Sequence, residues 1–183
     1  TDRGVDCVLL EAKSIGSGIT KNTTAKITYQ HGLIYDKLIK NVGLEKAKQY
    51  LDANKNALEK FKKMASHFPC DLEEKDAFIY SSTDRKIIEE EIKAYNKLGI
   101  SAEFVSSIPL PVECRGAVKI KNQAQFNPLK FLFSVAKNLK IYENTKVLSV
   151  NGHTVVTDKG TIYAENIIFA CHYPITNLPG FYF

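Results

Sequence analysis

The run Val5-Asp6-Cys7-Val8-Leu9-Leu10 is short, almost wholly apolar and ends on the carboxylate of Glu11. Such a run suits a parallel strand covered on both faces, which points to a layered α/β arrangement. Gly16 and Gly18 follow in "GSGITK". A dinucleotide fingerprint needs a third glycine and a helix directly after the strand. Here Lys21 occupies the third-glycine position, and "TKNTTAKITYQ" has no helical period. The strand is therefore read as the second of a dinucleotide-binding unit, whose terminal carboxylate accepts ribose hydroxyls. The fingerprint belongs about 20 residues before that carboxylate, hence before Thr1.

Downstream, "HGLIYDKLIKNVG" carries Ile34, Leu38 and Val42 at helical spacing and stops at Gly43. A longer helix runs from Leu44 to about Ala65, with Leu44, Ala47, Leu51, Leu58, Phe61 and Ala65 on one stripe. "DAFIYSS" (76–82) reads as a strand. Thr83 or Asp84 caps a helix that turns Ile88, Ile92 and Tyr95 inward and ends at Gly99. "SAEFV" (101–105) is a further strand, and "AVKIK" (117–121) alternates as a half-exposed antiparallel strand does.

Asn127 and Pro128 start a helix whose Leu132, Val135 and Leu139 form the expected buried stripe. The stretch 145–164 reads as a three-stranded meander, with an Asn-Gly turn and an Asp-Lys-Gly turn between its strands. "NIIFAC" (166–171) closes as a buried parallel-type strand that returns the chain to the central sheet.

Charge and cysteine usage narrow the function classes. The net charge is +5, but all except three of the 25 basic residues are lysines, spread over helix faces such as 46–63. Nucleic-acid surfaces cluster arginine, and only Arg3, Arg85 and Arg115 occur, so a solvated lysine surface is the reading and no nucleic-acid partner is expected. No run has the length of a membrane span, and residues 1–20 lack the pattern of a signal peptide. Cys7, Cys70, Cys114 and Cys171 have no CxxC spacing and no paired histidine, so no metal site is expected. Cys7 and Cys171 read as small core residues of strands, and a reducing cytoplasm as the home of the chain.

Taken in order, "VLLEA", "GSGITKNTTAK", "GAVKIKNQAQFNPLKFLFSVAKNL", "IYENTKVLSV", "VVTDKGTIYAENIIFA" and "CHYPITNLPGFYF" resemble the FAD-dependent oxidoreductases of the D-amino-acid oxidase and glycine oxidase family. The last part is similar to a subgroup of which some members carry a C-terminal Rieske domain. The resemblance covers the chain, while the chain covers part of the family's length: the glycine-rich unit and the C-terminal part of the substrate domain are not in it. The implied fold class is α/β with α+β elements. It consists of a partial FAD-binding Rossmann-like domain with a β-meander, plus part of a mixed-sheet substrate domain. Residues 1–44 and 127–183 would belong to the first, and 45–126 to the second.

The resemblance also implies roles. Glu11 would hold the ribose of the flavin's adenosine, with Ala12 beside it. The loop from Gly16 to Lys26, through Ser17, Gly18, Thr20, Thr23, Thr24 and Ala25, would pass under the diphosphate and flavin ring. Lys26 is either one more solvated lysine or a cation near the ring's pyrimidine edge. The backbone of Val147 would bracket the adenine. Ala170 and Cys171 match a turn near the diphosphate, where His172 replaces the family's glycine. The chemistry implied is oxidation of an amine or amino acid by hydride transfer to FAD. The catalytic residues are not identified, and Arg115 is as well explained by a surface salt bridge as by a substrate carboxylate. The 183 residues alone are expected not to retain FAD, to be inactive, and to self-associate through an exposed apolar edge. A cofactor-free α/β module and a nicotinamide-dependent dehydrogenase fragment are the alternatives.

Overall fold

A computed structural model describes residues 4–171, and within it the chain divides into two compact units. Among the described residues, one joins 4–22 to 135–171, and the other is 23–134. Residues 23–44 thus fold with the second unit.

The second unit is an antiparallel sheet with helices packed against it. Its strands are β2 (Lys26–Ile27), β3 (Glu73–Ser81), β4 (Glu103–Val105) and β5 (Gly116–Gln125). β5 is central. β3 pairs along its length, while β2 and β4 pair with its two ends, Lys26 opposite Gln125 and Glu103 opposite Lys119. The strand expected over 117–121 is therefore twice that length and largely buried rather than half-exposed, because it has neighbours on both edges. A bulge opposes Asp76 to Lys121 and Asn122, and Asn122 takes a φ of 61° to accommodate the extra residue.

Helix α1 spans Tyr35–Ala65 and breaks at Gly43, whose φ of 85° and ψ of 165° leave the helical region. The glycine ends one helix and starts the next, as its place in the sequence suggested. Helix α2 spans Lys86–Lys97 and terminates before Gly99, at φ 77°. Asp84 receives the N–H of Lys86 at its start, at 2.8 Å. Tyr29, Tyr35, Ala47, Leu51, Leu58, Ile88, Ala94, Tyr95, Leu98, Val118 and Ile120 form one core between helices and sheet. Each fully buried Leu, Ile or Val contributes roughly 1.5–3 kcal/mol. The expected stripes of α1 and α2 hold with two exceptions. Val42 and Leu44, on either side of the break, are about half-exposed, since the kink turns that segment from the core. Helix α3, Pro128–Ala136, is capped by Asn127, whose Oδ1 accepts the Lys130 N–H at 3.1 Å. It buries no residue fully: Leu132 and Leu139 are half-buried, and Val135 is exposed. Its packing is aromatic instead, with Phe131 against Phe61, Phe68 and Phe126 at ring separations of 5.3, 5.4 and 5.8 Å.

The first unit holds a parallel pair and a meander. β1 (Val8–Leu10) lies beside β6 (Lys140–Tyr142) in register, Leu9 opposite Ile141. The meander runs β7 (Val147–Asn151), β8 (Thr154–Thr157) and β9 (Thr161–Tyr163), in the same unit as β1. Its first turn sits one residue later than the sequence suggested. Asn151 pairs with Thr154, so the loop is Gly152-His153, with positive φ only at Gly152. That is the φ pattern of a type II′ turn, which wants glycine first, rather than the Asn-Gly I′ turn. The second turn closes on Thr157, whose hydroxyl donates to the Gly160 carbonyl and accepts from the Gly160 and Lys159 N–H groups.

Three expectations for this unit are corrected. Val8 and Leu9 are not buried on both faces but 42% and 45% exposed, because β1 has a strand on one edge only among the described residues. Residues 166–171 do not form a strand: no ladder pairs them, and Ile168 is 89% exposed. Cys7 and Cys171 are exposed; the buried thiol is Cys70, which donates to the Ala65 carbonyl.

Candidate functional site

In the first unit, β1 runs straight into Glu11. The Glu11 N–H continues the ladder to the Tyr142 carbonyl at 3.0 Å, and its own carbonyl accepts the Thr145 N–H at 2.9 Å. With its backbone held on both sides, the side chain leaves the sheet at the carboxyl end of a parallel strand, where ligands of open α/β sheets bind. Its Oε1 accepts the Lys13 N–H at 2.8 Å, and its Oε2 has no partner among the described residues. The residue is half-buried.

Glu11 lies on the rim of a cleft of about 550 Å³. It is lined by Leu10, Val147, Val150, Val155 and Ile162 together with residues 166–171. The cleft is mainly apolar, and the Glu11 carboxylate is the acid among its lining residues.

The residues singled out from the sequence separate into three groups. Glu11, Val147, Ala170 and Cys171 meet around this cleft. Ala12, Ser17, Gly18 and Thr20 follow Glu11 in the same unit, on the loop that ends in a single 3₁₀ turn, Ile19–Asn22. The Ser17 N–H closes a turn on the Ser14 carbonyl at 3.1 Å, and Gly16 has a φ of 73°. A methyl group at Gly18 would meet nothing within 4 Å. Thr23, Thr24, Ala25 and Lys26 belong to the second unit. There the Thr23 hydroxyl accepts the Ala25 N–H at 3.2 Å, Ala25 has a φ of 57°, and Lys26 is exposed opposite Gln125 in β2. His172 lies outside the described residues.

Arg115 pairs with Glu113 at 3.0 Å on the surface, which accounts for its charge. Among the described residues, no cluster of His, Cys, Asp and Glu could hold a metal ion, and no helix is long and apolar enough to cross a membrane. Sequence reasoning missed the segment 142–145, which carries most of the bonds that fix Glu11 and the loop after it. Glu143 gave no signal, because its partner is 128 residues away.

The comparisons with known proteins fall on one family. The family model described as FAD dependent oxidoreductase (DAO) matches residues 1–179. A relative from Bacillus subtilis (strain 168), named for a Rieske 2Fe-2S iron-sulfur protein, YhfW, is 36% identical over 195 residues, covering all of this chain and 38% of that protein. Among solved structures, glycine oxidase from Bacillus cereus ATCC 14579 is similar with a TM-score of 0.61 at 19% identity, over 90% of this chain and 48% of that one. L-proline dehydrogenase from P. horikoshii gives a TM-score of 0.65 at 20% identity, over 89% and 45%. The chain thus spans well under half of its curated relative and just under half of these structures. At such identities the structures speak for the fold, a mixed α/β and Rossmann-like one.

Proposed function

Because the chain belongs to the FAD dependent oxidoreductase family, we propose that it is part of an enzyme that oxidises an amine or amino acid by hydride transfer to FAD. The observation that carries this reading is Glu11: a carboxylate at the carboxyl end of a parallel strand, with one oxygen unpartnered among the described residues and a cleft beside it. A free carboxylate oxygen there suits the hydroxyls of a ribose, which need an acceptor. Names among the fold neighbours, glycine oxidase and L-proline dehydrogenase, support an amino acid or related amine as substrate.

When bound, FAD supplies the ring atom that takes up the hydride. The residues of this chain do the holding. Glu11 accepts from the adenosine ribose, with Ala12 beside it. Ser17, Gly18 and Thr20 offer amides and hydroxyls to the diphosphate. Val147 borders the adenine, and Ala170 and Cys171 form the turn near the diphosphate. Thr23, Thr24 and Ala25 carry the chain beneath the flavin, and Lys26 supplies positive charge near its pyrimidine edge, favouring the reduced anionic ring. In this reading residues 1–44 and 127–183 serve the cofactor and 45–126 the substrate.

The cleft itself would receive the strand that carries the family's glycine-rich turn. What supports this is that, among the described residues, one edge of β1 and the segment 166–170 pair with no strand, and both expose apolar side chains. A helix entered from that turn would present its N-terminus to the diphosphate. Residues 1–183 alone would then bind FAD weakly.

The test is spectroscopic. The intact protein is purified and mixed anaerobically with a panel of amino acids and simple amines. Bleaching of the flavin absorbance by at least one of them is the expected result. A colourless intact protein that gains no flavin band with added FAD would overturn the proposal.

A further inference from the structure

We infer that Glu143 is a positioning residue for the cofactor-binding loop; the inference rests on the role proposed above for Glu11 and the residues that follow it. Its Oε1 accepts the Ile15 N–H at 2.6 Å, a short bond to a charged acceptor across 128 positions of sequence. Ile15 directly precedes Gly16, Ser17 and Gly18, the stretch that would approach the diphosphate.

The bond completes a clamp. Residues 142–145, running on from the last residue of β6, take hold of residues 11–15 at four points in order. The Tyr142 carbonyl holds the Glu11 N–H, the Thr145 N–H the Glu11 carbonyl, the Asn144 N–H the Lys13 carbonyl, and the Glu143 carboxylate the Ile15 N–H. The Asn144 backbone adopts a φ of 51°, which asparagine tolerates better than most residues. Three of the four contacts are backbone to backbone, so side-chain substitution leaves their partners in place. The fourth depends wholly on Glu143. Beyond Lys13, the loop has two hydrogen-bonded supports among the described residues before its 3₁₀ turn: this bond, and the local Ser17 to Ser14 turn at 3.1 Å. Glu143 therefore sets where the glycines point, without touching the ligand.

The experiment uses the intact protein with three substitutions, Glu143→Ala, Glu143→Gln and Glu11→Ala. FAD dissociation constants, apoprotein melting temperatures and amide hydrogen exchange at Ile15 are the readouts. Glu143→Ala is expected to weaken FAD binding about tenfold, the size of one charge-assisted hydrogen bond. Ile15 should lose protection. Because Glu143 is exposed, the melting temperature should change little. Glu143→Gln, which keeps an acceptor oxygen, should recover most of the affinity and the protection. Wild-type FAD affinity in Glu143→Ala, with Glu11→Ala weakened, would overturn the inference and spare the cofactor reading. Unchanged affinity in both would sink the two together. A loss in Glu143→Gln equal to that in Glu143→Ala would also overturn it, since the hydrogen bond would not be the cause.

Discussion

The carboxylate of Glu91, in the middle of α2, closes on the backbone of Tyr35 at the start of α1. Its Oε1 accepts the Tyr35 N–H at 2.9 Å and the Ile34 N–H at 3.0 Å, and its Oε2 accepts the Asp36 N–H at 3.0 Å. A helix start has N–H groups without partners, and Ile34 has no side chain able to cap them. Glu91 supplies the cap from another helix, while 1% exposed. The same two helices pack Tyr35 against Tyr95, with ring centroids 4.8 Å apart.

Replacing Glu91 by Ala should therefore cost about 3 kcal/mol, since one buried and two part-buried donors lose their acceptor at once. Chemical unfolding followed by far-UV circular dichroism measures this. A loss under about 0.5 kcal/mol, the level of an ordinary surface change, would show the cap to be dispensable.

The pH dependence of that cap has a defined sign. Burial holds the Glu91 carboxyl above its usual range, against the three N–H donors that favour the ionised form. A raised folded pKa means the folded protein binds the proton more tightly than the unfolded chain, whose value is near 4.5. The stability it brings is present below the unfolded value and lost as pH rises through the folded one. The stability gap between wild type and Glu91→Gln should therefore narrow as the pH rises above about 4.5. A gap that widens would mean that the donors outweigh burial.

Gly43 carries the break in α1. A methyl group there would meet nothing within 4 Å, so the cost of Gly43→Ala comes from the backbone alone, at φ 85° and ψ 165°. That region is nearly closed to other residues, and the loss should be about 2 kcal/mol. A substitution without effect on the unfolding midpoint would mean that α1 can run straight through.

Residues 1–183 on their own should be colourless and self-associate. Val8, Leu9, Ile168 and Phe169 are all more than two-fifths exposed near a strand edge that is unpaired among the described residues, a surface that recruits other chains. Light scattering across a dilution series reads this directly. A stable monomer with stoichiometric flavin would contradict it.

What could be read from the sequence was what depends on neighbours along the chain. Glu11 at a strand end, the break at Gly43, the Asn127 cap and the meander each announce themselves within a few residues. What could not be read depends on distant partners. Residues 166–171 have the composition of a strand, but a strand exists only with a ladder beside it. Val8 and Leu9 look buried, but burial needs a covering layer. Glu91 falls on the Ile88 and Tyr95 face of α2, an acid within an apolar stripe, and its three donors lie 55 to 57 positions away. That misplaced charge was the available signal.

The central claim is that Glu11 holds the cofactor, and the most direct measurement is the FAD dissociation constant of the intact protein with and without its carboxylate. The Glu11→Ala protein should fold, because the strand-end ladder runs through the backbone to Tyr142 and Thr145. It should bind FAD more than tenfold more weakly, a loss of about 1.4 kcal/mol or more. FAD affinity equal to that of the unsubstituted protein would contradict the account.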